Sequence, residues 1–549
     1  MSENIRNLSY RKGLKDKLFE HLSDGRSAEN GLDQDAMRSV ADKYLIGNAN
    51  VYGAATFYDF LNPEKSNKKV FACAGSACML AGTQNGLQQT LEQHFEPSEI
   101  GEVYCLGRCY ENNAFHYKGL NYSGQADQQI KALKGGTVTS IADQYTVGAL
   151  GKGILTADNP SPEATVQTLL RLLESDRDQL LEELTASGLR GRGGAGFPFA
   201  FKLAAVKKEN ADQKYIVCNA DEGDPGAFSD RYLLEQKAHL VLFGMAISGY
   251  ISGAEDGVVY IRAEYPEAIE ILKKAVEPFN HIFPFQKADG EMVDFHLHVV
   301  KAQGAYICGE ETALLSSLEG LRPEVRTRPP FPVQYGLFGK PTAVNNVETL
   351  ANLHFILTEG GAAFKAIGTA KSSGTKLLSL DSHFNRPGLY EVDMGTSLSL
   401  VINELGGGMK EPVKAFHIGG PLGGLVPMRK TGDLTIDFES FAANGFLLGH
   451  ASVLSIPTRF PLVEYLEHLF AFTAHESCGK CFPCRIGSVR GKELLQKARA
   501  GNYQIDRNLW DDLIDTLEKG SLCALGSGLP LPVKNAMQYF PEELGVYFK

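Results

Sequence analysis

The stretch ESCGKCFPC constrains this chain more tightly than any other. Cys478, Cys481 and Cys484 stand three residues apart, and a remote Cys523 in GSLCALG is placed to complete a set of four. Two-residue gaps let one tight loop wrap three corners of a cubane while a distant cysteine closes it. Zinc prefers two separated pairs, so the triplet points to a [4Fe-4S] cluster rather than zinc. Whatever surrounds this loop must fold so that residue 523 returns to it.

A second quartet lies near the start, in FACAGSACM and VYCLGRCYE, with four residues between Cys73 and Cys78 and three between Cys105 and Cys109. Two pairs suit a [2Fe-2S] rhomb, each pair holding one iron, and they also suit a four-thiolate zinc site. Spacing alone leaves both open. The remaining cysteines, Cys218 and Cys308, sit alone in apolar surroundings and read as small buried hydrophobes with no redox role. The N-terminus, MSENIRNLSYRKGLKDK, has no apolar core or small-residue cleavage site, so a cytoplasmic location is expected. Thiols stay reduced there, which favours metal ligation over disulfides.

With 549 residues, 43% hydrophobic and 22% charged, the chain is long enough for about three or four globular domains. Its net charge of −11 argues against a nonspecific polyanion binder, so no nucleic-acid partner is expected. The apolar run Leu240 to Ala254 is broken by Gly and Ser and falls short of the ~18 residues needed to cross a bilayer. It reads as a buried helix, with no direct membrane insertion. The 58 glycines exceed ordinary usage and direct attention to loops where backbone approaches a ligand.

Residues 1–65 show helical spacing, as at Met37, Val40, Ala41 and Tyr44, and form a helical lead-in. From 66 to 146 an apolar strand VFAC, a cysteine loop, the helix GLQQTLEQHF and the strand EVYC with its own cysteine loop make a compact α/β unit. After a Gly-, Asp- and Pro-rich separator, 147–371 alternates strands such as YIVCNA and VVYIRAEY with helices such as EAIEILKKAV, the pattern of an α/β layer fold. Short strands and glycine turns mark 372–440 as a small β-rich insert. The rest, 441–549, is mostly helical and carries the cysteine triplet.

GLRGRGGAGFP holds a G-x-G-x-x-G string at Gly191, Gly193 and Gly196. A Rossmann turn would need an apolar strand before it, yet LLEELTAS is helical and polar, and no clear acid ends a second strand about 20 residues on. We therefore read a glycine nest followed by a helix opening at Pro198, with Lys202 one turn in. Bare N–H groups, a positive helix end, Arg190 and Arg192 favour a phosphate; the alternative is a structural turn. NADEGDPGAFSDR follows the strand KYIVC, which puts its Asn and acids at a strand end, where α/β folds bind ligands. In AYICGEETALLSSLEG, Gly309 precedes Glu310 and Glu311 at a helix start, where acids can also serve merely as caps.

GLRGRGGAGFP, NADEGDPGAF, GAYICGEETAL, RPPFPVQYGLFGKPTAVNNVETL and ESCGKCFPC occur here in an order that resembles the family of NADH-binding flavoproteins (diaphorases) found in respiratory complex I and its relatives, over about residues 180 to 549. The stretch before it is similar to the thioredoxin-like [2Fe-2S] component of the same machinery, fused in front. The resemblance implies a multidomain α/β fold: a thioredoxin-like ferredoxin domain, an α/β FMN/NADH-binding domain, a β-grasp-like insert and a C-terminal helical bundle with the [4Fe-4S] cluster. It implies FMN held by Gly191, Gly193, Lys202, Asn219, Asp221, Asn345 and Asn346, with Tyr306, Gly309 and Glu310 closing the site. The implied cofactor set also takes in Arg192, Gly196, Glu222 and Asp224. Phe197 and Phe331 are implied to stack on NADH, with Glu311 near its adenosine ribose. The chain departs from the family at Phe199, Ala200 and Phe201, where Thr-Gly is usual after GFP, and at Asp224, where Glu is common. YENNAF after Cys109 replaces a proline-bearing turn.

The fused modules, with PCRIGSVRGKE, GSLCALG and LPLPVKNAMQYFPEEL, look most like the beta subunit of cytosolic NAD-dependent molybdenum or tungsten formate dehydrogenases. The flavoprotein component of NAD-reducing hydrogenases is the close rival. The expected partner is accordingly a molybdenum or tungsten catalytic subunit, or nickel-iron hydrogenase subunits, with further iron–sulfur clusters. A flavin takes a hydride and releases single electrons, so no catalytic side chain is required. Acids near the ribose favour NAD(H) over NADP(H). A noncatalytic electron-transfer scaffold and a zinc-stabilised nucleotide sensor are the readings of another class.

Overall fold

The computed structural model describes residues 34–124 and 145–549 apart from 66, 159 and 502, together with 14, 18, 19, 22, 129 and 130. Most of the lead-in before residue 34 thus lies outside the described residues. Met37, Val40, Ala41 and Tyr44 form the buried face of the helix Gln34–Tyr44, as their spacing predicts. A second helix, Asn48–Ala55, follows. The chain then inserts Tyr58 into the central module, where its hydroxyl lies 2.9 Å from Ser317 Oγ.

The first α/β unit is a four-stranded sheet in the order β2-β1-β3-β4. Its strands are β1 (Val70–Cys73), β2 (Ile100–Val103), β3 (Phe115–Tyr117) and β4 (Leu120–Tyr122). The parallel β1–β2 pair needs a crossover, which the helices Ser76–Ala81 and Gln84–Glu92 supply. Cys73 ends β1, Cys78 lies on the first crossover helix, and Cys105 and Cys109 follow β2. The next strand, β5 (Thr146–Leu150), leaves this unit for a distant sheet.

The central sheet is all parallel, in the order β10-β7-β6-β11. It comprises β6 (Tyr215–Ala220), β7 (Asp256–Ile261), β10 (His296–Lys301) and β11 (Thr342–Asn346), with a small hairpin of two-residue strands, β8 (Phe285–Gln286) and β9 (Met292–Val293), between β7 and β10. YIVC and VVYI run as near-continuous apolar segments because helices cover this kind of sheet on its faces. The run read as a buried helix is Ala238–Ser252, with every residue but His239 buried. A Cβ at Gly244 would stand 2.2 Å from Leu350 O, so glycine sets how closely this helix meets the one after β11.

The third sheet has the order β15-β14-β16-β12-β13-β5. Its remaining strands are β12 (Thr375–Leu380), β13 (Gly388–Asp393), β14 (Val413–Ile418), β15 (Gly424–Pro427) and β16 (Ser452–Pro457). It therefore reaches beyond both ends of the 372–440 insert. β5 opens the expected separator and covers the edge of β13, while β16, buried along its whole length, pairs with β12 and β14. The C-terminal region is helical, with Leu462–Glu476, Ser488–Arg499, Arg507–Gly520 and Pro530–Tyr539. Trp510 is buried between Phe470 and Phe548, each ring 5.5 Å away. Among the described residues no helix is long and apolar enough to cross a membrane.

Candidate functional site

The helix Arg177–Ser187 ends at Gly188 in the left-handed region, and the glycine loop begins there. A helix rather than a strand thus leads into the G-x-G-x-x-G string, in agreement with the rejection of a Rossmann turn. The loop closes on itself where Gly191 N–H donates to Phe197 O at 2.8 Å, and the helix Phe199–Lys208 follows. A Cβ at Gly193 would stand 2.9 Å from Asn346 Cβ, so the loop backbone can lie this close to β11 only without a side chain.

Facing the loop are the C-terminal ends of β6 and β11, paired in parallel with Asn345 opposite Cys218 and Asn346 opposite Asn219. The Asn219 amide donates to Gly309 O at 2.8 Å and its oxygen accepts from Asp221 N–H at 3.2 Å, tying the strand end to the Tyr306–Gly309 turn. Asn346 caps the helix Val347–Ala351 and donates from Nδ2 to Asp230 Oδ2 at 2.7 Å. Glu310 does cap its helix, accepting from Thr312 and Ala313 N–H at 2.9 Å each. It also pairs with Arg328 at 2.6 Å, as Glu311 does at 2.9 Å.

These elements enclose two adjoining cavities. The outer, of about 620 Å³, is lined by Gly191, Gly193, Gly196, Phe197, Lys202, Asn219, Gly309, Glu310, Glu311, Phe331, Asn345 and Asn346 among others. The inner, of about 380 Å³, shares the loop and Asn219 and adds Asp221, Glu222, Asp224 and Tyr306. The expected cofactor-site residues, Arg192 excepted, therefore meet in one place.

Arg192 is a correction. Its guanidinium is fully buried and donates to Thr375 O at the start of β12, to Ser373 O just before it and to Arg190 O in its own loop, so its donors are used within the protein rather than facing the cavities. Arg190 likewise engages Gly196 O and Glu439, each at 2.6 Å. Of the basic residues expected at the site, Lys202 does lie on the cavity wall, where it donates to Val344 O at 2.7 Å and lies 3.7 Å from Glu311. Sequence reasoning missed Phe201 and Arg328 on the outer wall, and Leu422, His450, Ala524 and Leu525 on the inner one. Phe201 had a signal, standing one turn from Phe197, which it meets edge-on at 5.7 Å. His450 and Ala524 had none, because they come from other modules.

The residues fit a planar, polar-edged cofactor with a phosphate. Asp221 Oδ2 and Asn345 Nδ2 are buried with no hydrogen-bond partner in the protein, a state tolerated where a ligand completes the set. Burial pushes the Asp221 carboxyl well above its ordinary range and lowers the Lys202 ammonium. Tyr306 Oη donates to Asp224 Oδ1 at 2.7 Å, closing the inner end.

Residues beside both cysteine quartets line this space. Ala524 and Leu525, immediately after Cys523, line the inner cavity. On another side Gly226 N–H donates to Cys109 Sγ at 3.2 Å, and Cys105 Sγ lies 3.9 Å from Asp224 O. Cys105 and Cys109 sulfurs are 3.6 Å apart, a spacing that suits two ligands of one iron. Four thiolates around a single zinc would all lie about 3.8 Å from one another. Among the described residues the triads with every ligand atom within 4.8 Å are Asp59–His475–Glu476 and Glu222–Asp230–His450, so neither quartet is drawn in that tightly. Burial raises the Cys484 thiol to about 11 and Cys523 to about 12, so a metal is what would hold them as thiolates.

Comparison with known proteins agrees with this geometry. Residues 184–354 match the Nuo51 FMN-binding domain, 464–547 the NADH-ubiquinone oxidoreductase-F iron-sulfur binding region, and 6–133 the thioredoxin-like [2Fe-2S] ferredoxin. The chain is 43% identical to the NADP-reducing hydrogenase subunit HndC of Solidesulfovibrio fructosivorans, over 68% of this chain and 77% of that one. It is 38% identical to the NAD-reducing hydrogenase HoxS subunit alpha of Cupriavidus necator, over 89% and 85%. It is also 40% identical to an NADH-quinone oxidoreductase chain of Rhizobium meliloti, over 67% and 88%. A crystal structure of an air-oxidized NAD+-reducing [NiFe]-hydrogenase superposes with a TM-score of 0.85 at 28% identity, covering 97% of this chain and 93% of that one. This chain belongs to the family of NADH-binding flavoproteins (diaphorases) of complex I and NAD-reducing hydrogenases, with an FMN-binding domain, a [4Fe-4S] region and a fused thioredoxin-like [2Fe-2S] domain.

Proposed function

We propose that this chain is the NAD(H)-reacting module of a cytoplasmic multisubunit oxidoreductase, partnered by a molybdenum or tungsten formate dehydrogenase catalytic subunit with further iron–sulfur clusters. One observation carries the module's role: the inner cavity is lined both by Asp224, whose carbonyl lies 3.9 Å from Cys105 Sγ, and by Ala524, the residue after Cys523. FMN bound there supplies exchange of a hydride with NAD(H) and of single electrons with the clusters.

The chain's own residues bind, orient and shield. The loop backbone at Gly191, Gly193 and Gly196, the start of the helix Phe199–Lys208 and Lys202 form the phosphate seat. Asn219, Asp221, Asn345 and Asn346 offer hydrogen bonds to the ring edge. Phe197 and Phe331, about half exposed, and Phe201, about two-thirds exposed, offer faces to the dinucleotide at the outer mouth. Glu311 reaches its ribose and disfavours a 2′-phosphate, the basis for reading NAD(H) over NADP(H). Cys73, Cys78, Cys105 and Cys109 hold the [2Fe-2S] cluster, and Cys478, Cys481, Cys484 and Cys523 the [4Fe-4S] cluster.

The formate reading rests on the fused modules and the C-terminal segments that resemble formate dehydrogenase beta subunits. A second reading, a nickel-iron hydrogenase partner, is favoured by the near end-to-end likeness to the hydrogenase chains. Complex purified without oxygen decides between them. Formate-driven NAD+ reduction with molybdenum or tungsten present is the expected result, and hydrogen-driven reduction with nickel overturns the formate assignment alone. In the same complex Cys481→Ala should abolish NADH-driven reduction of the partner while FMN stays bound. Unchanged partner reduction refutes the route through the C-terminal quartet.

A further inference from the structure

The inner cavity has a wall that belongs to the third sheet. The turn before β16 brings Gly449 and His450 to it, across from Gly193 and Asn346. His450 is 6% exposed, with Nε2 3.2 Å from Asp230 Oδ2 and 3.6 Å from Glu222 Oε1. The same Asp230 oxygen accepts from Asn346 Nδ2 at 2.7 Å. An imidazole–carboxylate–amide chain therefore runs from the third sheet to the glycine cradle. Two of its atoms, His450 Nδ1 and Asp230 Oδ1, are buried without a hydrogen-bond partner in the protein.

The charged groups facing His450 come from several elements. Asp230 on the helix Ser229–Gln236, with Glu222 and Asp224 after β6, are acidic; Lys376 on β12 is basic. Glu222 is held by Ser229 Oγ, Asp230 N–H, Arg231 N–H and Tyr265 Oη, so it is not free to swing away. Burial alone lowers the ring's hold on its proton. The Asp230 and Glu222 carboxylates outweigh it and raise His450 to about 9.

We propose that His450 is a positioning residue for the flavin: it fixes Asp230, and through it Asn346, and places a positive charge on the wall of the flavin chamber. Two-electron reduction by NADH releases NAD+ and adds two electrons and one proton to the flavin, a gain of one negative charge. The imidazolium offsets that charge, so it favours the reduced state and raises the flavin's midpoint potential wherever His450 is protonated. No further reactant is needed. The inference rests on the reading that FMN occupies this chamber.

The test is a spectroelectrochemical titration of bound FMN in the purified holoprotein, from neutral to alkaline pH, for the native chain, His450→Gln and Asp230→Asn. His450→Gln should keep its FMN and show a lower potential at neutral pH. The gap should close as pH rises past about 9, where native His450 loses its proton. Asp230→Asn should close the gap at lower pH, because the ring loses the carboxylate that holds its proton. Coincident potential–pH curves for all three overturn the proposal, even if the variants melt earlier, since packing alone moves stability and not the curve. Should His450→Gln lose FMN, Asp230→Asn decides, and an unshifted curve overturns it. Gly193→Val separates the underlying reading: full FMN content in that variant means the flavin is not in this chamber, whatever His450 does.

Discussion

His417 shows what one buried ring can do to pH tolerance. Its Nδ1 accepts from Tyr465 Oη at 2.6 Å and its Nε2 donates to Gly423 O at 3.1 Å, an arrangement that suits the neutral ring. Burial lowers its pKa from 6.5 to about 4. Between those values the unfolded chain binds a proton that the folded chain refuses, so this contribution is intact above 6.5 and falls as pH drops toward 4. His417→Gln, which can still donate and accept, should lose less stability than the native chain between about pH 7 and 5 in urea melts. Equal losses would assign the acid sensitivity elsewhere. At this scale the motifs were legible as residue types: the glycines, asparagines and Lys202 all reach the cavities. Side-chain direction was not, because Arg192 sits in a phosphate-like motif yet satisfies its donors on the carbonyls of Ser373 and Thr375, at the entry to β12.

Between elements, Lys376 on β12 and Glu348 on the helix after β11 form an ion pair with no solvent exposure, and Leu377 N–H donates to Glu348 Oε1 at 3.0 Å. This pair joins the third sheet to the central module. Lys376→Met leaves a carboxylate buried without its cation and should cost about 3–5 kcal/mol in thermal or denaturant unfolding, while Lys376→Met with Glu348→Leu recovers most of it. Equal instability of the single and double variants would refute the account. Periodicity exposed the elements whose burial is one-sided or complete, such as Gln34–Tyr44, Ala238–Ser252 and β6. It did not expose β5, whose residues are exposed or half-buried and whose register is dictated by β13. Nor did it expose β16, which sits in a stretch read as helical.

Across the whole molecule, seating of the [2Fe-2S] unit turns on Arg231, in the same NADEGDPGAFSDR segment that lines the inner cavity. Its guanidinium donates to Gly107 O at 2.8 Å and Tyr110 Oη at 3.1 Å, and it pairs with Glu235 at 3.4 Å. Arg231→Leu leaves Gly107 O and the mostly covered Glu235 carboxylate without this partner, and should weaken this docking by about 2–5 kcal/mol. Faster hydrogen exchange in β1–β4 with FMN retained is the expected readout, and unchanged exchange would place the docking energy in other contacts. The sequence by itself determined which cysteines group, which loops are stripped of side chains for a ligand and which layers alternate, because thiolate spacing, glycine and hydrophobic period act over a few residues. Only the tertiary structure decided that Asp224, Ala524 and His450 border one cavity, and that the third sheet closes over it. Those neighbours lie in different modules of the chain, and no local pattern records which distant surfaces must meet to bury them.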